Sequence, residues 1–215
     1  MASSTKERIL DSAERLFSDS GLRMISLRDI TKDAGVNLAA VNYHFGSKEA
    51  LLKAVLERAI YPVNESRITL LDELESQSGE KGPAVEDILH AFLGPPFDAW
   101  SKAGDRGLRF FKLLGQIHTQ ANPEIQTVLL NQFIQVLERY TKALERALPN
   151  VDSTEVRRRM LFVNGAMAQA MRFGSNPGGL APEELDQMRE SLIRFAAVGF
   201  SAESISDLSL KGRRS

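Results

Sequence analysis

Residues 26–52, SLRDITKDAGVNLAAVNYHFGSKEALL, decide how the rest of the chain is read. They spell a helix, a turn, a second short helix and the capped start of a third. Ser26 is placed to cap the first helix, and Asp29, three residues on, stands where a capping box wants a carboxylate. Leu27, Ile30 and Ala34 repeat at helical spacing. Gly35 follows the last of them, where a left-handed residue commonly ends a helix. Val36 plugs the turn, and Asn37 is placed to cap the next helix. That helix, residues 38–45, is two turns long. Two turns do not hold in water unaided, so packing must hold them. Val41 and Phe45, four apart, supply its apolar face. Gly46 stops it, and Ser47 opens another helix with Lys48 and Glu49 in the first turn.

What the short helix presents outward points to nucleic acid. Ala39 and Ala40 let it approach a surface closely, and an alanine methyl suits a thymine methyl. Asn42 has the bidentate geometry for an adenine edge. Ser26, Arg28, Tyr43, His44 and Lys48 carry hydroxyl, guanidinium, imidazole and ammonium groups suited to phosphates, which set register. Free N–H groups at the helix start after Ser47 add an anion site. Asn37, at the head of the short helix, completes the candidate DNA-binding set. This is the layout of a helix-turn-helix reader. A plain helical hairpin would show the same spacing, with Tyr43 and His44 merely covering neighbours.

Residues 34–52, AGVNLAAVNYHFGSKEALL, resemble the signature of TetR-family transcriptional repressors. In that pattern Ala-Gly-Val closes the turn, and a short recognition helix ends in an aromatic pair and Phe. Ser-Lys-Glu/Asp-x-Leu then opens the fourth helix. Two positions depart from it: the usual Thr or Ser is Ala40 here, and the usual Tyr is Asn42, with Tyr43 and His44 following. Losing the Thr hydroxyl removes one phosphate contact. The wording NLAAVNYHFGSKEAL also resembles a narrower group of these repressors that respond to fatty acids or acyl-CoA. The resemblance implies an all-α fold and a homodimer joined through a four-helix bundle from the last two helices of each copy. It implies a palindromic double-stranded DNA operator, with recognition helices in successive major grooves about 34–36 Å apart, and repression relieved by a small hydrophobic effector.

The 215 residues are enough for one large or two small domains, and 43% hydrophobic with 26% charged content is ordinary for a globular protein. Cysteine is absent, which excludes disulfide and thiolate chemistry and is compatible with a reducing cytoplasm. No run of 18 apolar residues occurs, so no membrane span is expected. The first residues, MASSTKERILDSAERLF, are interrupted by charges and do not read as a signal peptide. Net charge is -1. Within residues 1–61, nine Lys and Arg face eight Asp and Glu. A DNA-binding role must therefore rest on where charges point, and the modest phosphate neutralisation predicts a modest salt slope.

In chain order, Ser4 and Glu7 form a capping-box pattern ahead of a helix lined by Ile9, Leu10, Ala13, Leu16 and Phe17 and ended by Gly21. Lys6 and Arg8 belong to its solvated face or touch a DNA backbone. The helix from Ser47 is expected to be interrupted by Pro62, which removes a hydrogen bond, before the pattern resumes at Ile68, Leu71 and Leu74. Residues 75–83 read as a polar loop. Val85, Ile88, Leu89, Phe92 and Leu93 predict a helix ended by Gly94-Pro95-Pro96, and residues 105–121 predict another. Asn122-Pro123-Glu124 starts a further helix that ends near Leu148-Pro149. Asp152 and Glu155 open the next, whose middle, MLFVNGAMAQAMRF, is apolar nearly all round and so is buried on every side. Arg157, Arg158 and Arg159 read as a solvated face. Pro182-Glu183-Glu184 starts the last helix. The expected division is a helix-turn-helix head over 1–47, a linking helix over 47–75, a ligand-binding and dimerisation domain over 48–203, and a flexible tail over 204–215.

Trp100, Phe110, Phe111, Leu114, His118, Phe133, Phe162 and Met167 are candidate walls of an apolar effector pocket, though aromatic and Met residues at helical spacing also serve plain cores. Arg109, Gln116 and His118 are candidates for holding a polar head group. No cofactor is expected. None of His44, His90 and His118 has a metal-ligand partner at i+3 or i+4, no P-loop or GxGxxG appears, and no nucleophile–base constellation argues for an enzyme. Two function classes stand: a ligand-responsive DNA-binding repressor, and a helical lipid- or acyl-group-binding module without sequence-specific DNA binding.

Overall fold

A computed structural model of the chain describes residues 4–22, 24–79, 82–103, 107, 109, 112, 113, 123–174 and 180–203, and the expected tail and most of the helix expected over 105–121 lie outside them. Eight helices and no strand are found among the described residues, so the fold is all-α. The first four are α1 (Thr5–Ser20), α2 (Leu27–Ala34), α3 (Leu38–Phe45) and α4 (Lys48–Ser78). The rest are α5 (Val85–Ala103), α6 (Pro123–Ala147), α7 (Ser153–Gly174) and α8 (Pro182–Ser201).

Local signals set the starts. Ser4 Oγ accepts from the Glu7 N–H at 3.2 Å, Asn37 Oδ1 from the Ala40 N–H at 2.8 Å, and Ser47 Oγ from the Ala50 N–H at 3.1 Å. Ser26 and Asp29 close a reciprocal capping box. Gly35 adopts φ 62° and donates its N–H to the carbonyls of Thr31 and Lys32, ending α2. These are the sequence's own punctuation, made with backbone groups that would otherwise be unsatisfied.

Pro123 and Pro182 start helices as expected, but Pro62, Pro95 and Pro96 behave differently from expectation. Pro62 lies inside α4, which runs unbroken to Ser78, and the helix therefore also takes up residues 75–78 of the segment read as a loop. Pro95 and Pro96 lie inside α5, which continues to Ala103 and carries Phe97 and Trp100 into the core. A proline removes one N–H and crowds the carbonyl four residues back, at about 3 kcal/mol. Burial offsets that cost. Ile60 and Val63 flank Pro62 in the core, and Leu93 and Phe97 flank the Pro95-Pro96 pair. Each such side chain contributes about 1.5–3 kcal/mol.

α1 packs on α2, α3 and α4, so the N-terminal helices share a core with the first half of α4. Leu51, Leu52, Val55 and Leu56 are buried there with Ile9, Phe17, Ile30 and Val41. The second half of α4 packs with α5 and α6, and α5 lies against α8. α4 thus belongs to both assemblies.

Candidate functional site

α3 is held by one fully buried residue, Val41, and by partly buried Ala40 and Phe45 packed on the core. Ala39, Asn42, Tyr43 and His44 are exposed, as are Ser26, Arg28 and Asn37, while Lys48 is half-buried. Tyr43 is 85% exposed, its ring touched only edge-on by His44 at 5.1 Å between ring centres among the described residues. The nine candidate residues therefore fall on and beside one short, projecting helix. Their donors are not equally available. The hydroxyl and backbone N–H of Ser26 both donate to Asp29 Oδ2, at 2.6 and 2.8 Å. These bonds hold the Asp29 carboxyl below the usual carboxylate range. The Asn37 oxygen is taken by its cap, leaving its amide hydrogens. Lys48 Nζ lies 6.0 Å from the centre of the Phe17 ring.

Arg8, read as a solvated or DNA-touching residue, has another role. Its Nη2 donates to the Gly35 carbonyl at 3.0 Å and to that of Ala34, closing the exposed end of α2. It positions the turn ahead of α3. Arg15 pairs with Asp33, and this hydrogen bond keeps the Asp33 carboxyl low. Arg58 on α4 reaches back to α1, bonding Asp11 at 2.7 Å, Glu7 at 3.2 Å, and Glu14. Glu49 is held low by its own backbone N–H and by Ser47. Most acids of this region are thus engaged inside it. Arg28 and Lys32 carry no ion pair among the described residues. The near-zero charge count thus covers an uneven distribution, with most acids engaged inside the head while Arg28 and Lys32 form no ion pair there.

The candidate effector residues scatter. Trp100 and Met167 are buried, and Phe133 and Arg109 are half-buried. Phe162 is 63% exposed on the outer side of α7 and so cannot wall an interior pocket in this chain. Phe110, Phe111, Leu114, Gln116 and His118 lie outside the described residues. Met167 and Phe133 meet a residue the sequence did not single out. Arg67 of α4 is 0% exposed, with its guanidinium 4.4 Å from the Phe92 ring centre and 5.7 Å from that of Phe133. The Tyr140 hydroxyl donates to the Arg67 carbonyl at 2.7 Å, fixing α6 on α4. Its register, four residues from Val63 and four from Leu71 on the buried stripe of α4, was the available signal.

α7 buries Val156, Met160, Val163, Met167 and Met171 on one side. Its other side exposes Leu161, Phe162 and Phe173, and α8 exposes Phe195 and Val198. A Cβ added at Gly165 or Gly199 would meet nothing within 4 Å. Arg159 is not solvated: it is buried, bonding Glu155 at 3.0 Å and the Phe200 carbonyl at 2.7 Å. No group of three or more His, Cys, Asp or Glu able to hold a metal exists among the described residues, and no helix there is long and apolar enough to cross a membrane.

Comparison with known proteins gives a consistent picture. Residues 9–55 match the family model described as bacterial regulatory proteins, tetR family, and residues 90–199 match that of the tetracyclin repressor-like C-terminal domain. The chain is 42% identical over 91 residues to the HTH-type transcriptional regulator AcrR of Shigella flexneri, covering 41% of this chain and 40% of that protein. It is 36% identical over 63 residues to the HTH-type transcriptional regulator UidR of Escherichia coli (strain K12), covering 27% and 32%. The chain spans less than half the length of these curated relatives. Among solved structures, it is similar in fold to GusR of Salmonella enterica, with TM-score 0.65 at 17% identity over 92% of this chain and 96% of that one. PfmR of Thermus thermophilus, a TetR family transcriptional regulator, gives TM-score 0.62 at 21% identity over 90% and 97%.

Proposed function

The chain belongs to the TetR family of bacterial transcriptional regulators, and from that premise we propose that it is a repressor that binds a palindromic DNA operator as a homodimer and is released by a small apolar effector, a fatty acid or acyl-CoA. Members of this family are transcription factors, and the chain is a regulator rather than an enzyme. The observation that carries the reading is α3: an eight-residue helix anchored by Val41 that leaves Asn42, Tyr43 and His44 exposed. Asn42, Ala39 and Ala40 face the bases, and Arg28, Asn37, Tyr43, His44 and Lys48 set the register on phosphates, while Ser26 reaches a phosphate only by giving up a bond to Asp29. The exposed apolar stripe of α7 and α8 is the dimer face, and it supports a bundle of two helices from each copy. The effector acts by its differential affinity for the DNA-bound and released spacings of the two heads.

Operator selection from a random duplex library at physiological salt tests this. A two-fold symmetric site, with half-site centres about 34–36 Å apart, is expected. Asn42→Ala should cost about 1–3 kcal/mol of discrimination at one base pair in each half-site. A selection that enriches no sequence overturns the reading and leaves a helical lipid- or acyl-group-binding module.

A further inference from the structure

Arg67 stands where α4, α5, α6 and α7 converge, through its contacts with Phe92, Phe133, Tyr140 and Met167. Its Nε donates to the Phe92 carbonyl at 2.8 Å. That carbonyl is available because its helical partner four residues on is Pro96, which has no N–H. The other donors are poorly served. Nη1 reaches Asn64 Oδ1 at 3.3 Å, and Nη2 reaches the Met167 sulfur at 3.4 Å. A guanidinium has five N–H donors, so at least two hydrogens have no acceptor among the described residues.

The contrast with the chain's other inward arginines is direct. Arg58 sits among Glu7, Asp11 and Glu14, and Arg159 holds Glu155. Arg67 is the most buried of the three and has no carboxylate within 4.0 Å among the described residues. Burial pushes its pKa down to about 10, which still leaves it charged at neutral pH. One carbonyl, one long bond to an amide oxygen, two aromatic faces and a thioether are all neutral partners, weak compensation for a buried cation whose desolvation only a close counter-charge offsets well.

We propose that the missing counter-charge is the carboxylate of the effector: an organic acid whose head pairs with Nη1 and Nη2 of Arg67 and whose apolar body lies against Phe133 and Met167. This rests on the reading of the chain as an effector-responsive regulator. A carboxylate matches the planar donor fork and cancels one positive charge, whereas a phosphate dianion leaves net charge in the core. An acyl thioester presents no charge at its acyl end, so the free acid, and not its CoA ester, is the effector. Pairing draws Nη1 and Nη2 away from Asn64 and Met167. Nine residues before Arg67 on the same helix, about 13.5 Å away, Arg58 grips α1. An acid bound at Arg67 therefore acts on the helix that carries the reading head.

Calorimetric titration of the full chain, without DNA, with dodecanoate, dodecanol and methyl dodecanoate separates the possibilities. Dodecanoate should bind at least about tenfold more tightly than either neutral probe, a difference of about 1.4 kcal/mol. In Arg67→Met the acid should lose that advantage while dodecanol affinity is kept. Arg67→Lys, which restores the charge without the fork, should recover part of it. Should Arg67→Met not fold, as circular dichroism would show, the acid–alcohol comparison in the wild-type chain still decides. Equal binding of acid and alcohol, no binding of any probe, or an acid preference surviving in Arg67→Met overturns the assignment. Because no DNA is present, a failed operator selection and a failed Arg67 assignment are read separately.

Discussion

Gly35 sits at φ +62°, and a Cβ built on it would lie 2.9 Å from Arg8 Nη2. Both the backbone and the arginine that closes α2 would object to a side chain there. Gly35→Ala should therefore cost about 1–2 kcal/mol, the ordinary penalty for a left-handed residue, measured by urea unfolding. Arg8→Ala should lower stability in the same direction with no strain involved, so the two effects should not simply add. Asp29 gives a pH signature. Its folded carboxyl titrates below its ordinary value because Ser26 donates to it. The stabilisation is therefore complete above the ordinary aspartate range and is lost as pH falls through the depressed folded value. Thermal melts of wild type and Asp29→Asn should differ at pH 7 and converge in strong acid. At this scale the caps were legible in the sequence, because a cap and its acceptor lie three residues apart. Arg8, Arg159 and Arg67 were not, because their partners lie 26, 41 and 100 residues away.

Helix starts were legible wherever Ser, Asn or Pro precedes an apolar repeat, and those of α1 to α4, α6 and α8 fall where such residues predict. The helix end at Leu148-Pro149 was read correctly, but the breaks expected at Pro62 and at Pro95-Pro96 were misread. The rule that proline stops a helix weighs one lost hydrogen bond, while the chain weighs that bond against the side chains the next turn buries. Pro95 and Pro96 are themselves buried, and the carbonyl that Pro96 frees is used by Arg67. Pro62 is exposed and buries nothing of its own. Pro62→Ala should thus return a backbone hydrogen bond at no packing cost and stabilise the chain by up to about 3 kcal/mol, again by urea unfolding. Pro96→Ala should gain less, because the restored N–H competes with Arg67 for the Phe92 carbonyl.

Across the whole molecule, the all-round apolar character of α7 was legible, and it divides as a two-sided helix must: methionines inward, Leu161 and Phe162 outward. Assigning Phe162 to a pocket failed because periodicity shows that two faces are apolar, not which one meets the chain's own core. If the outward face joins two copies, Leu161→Glu with Phe195→Glu should yield a monomer of unchanged helicity by sedimentation and circular dichroism. Such a monomer should bind operator far more weakly, because each half-site is then held alone. The burial of Leu51, Leu52, Val55 and Leu56 beside α1 and α3, with Arg58 tied to Glu7, Asp11 and Glu14, has a last consequence. A protease cutting between residues 47 and 60 would liberate no autonomous reading module, and a gene fragment encoding only the first three helices would yield an unfolded peptide. Scanning calorimetry of the intact chain should accordingly record one endotherm, with both halves melting together.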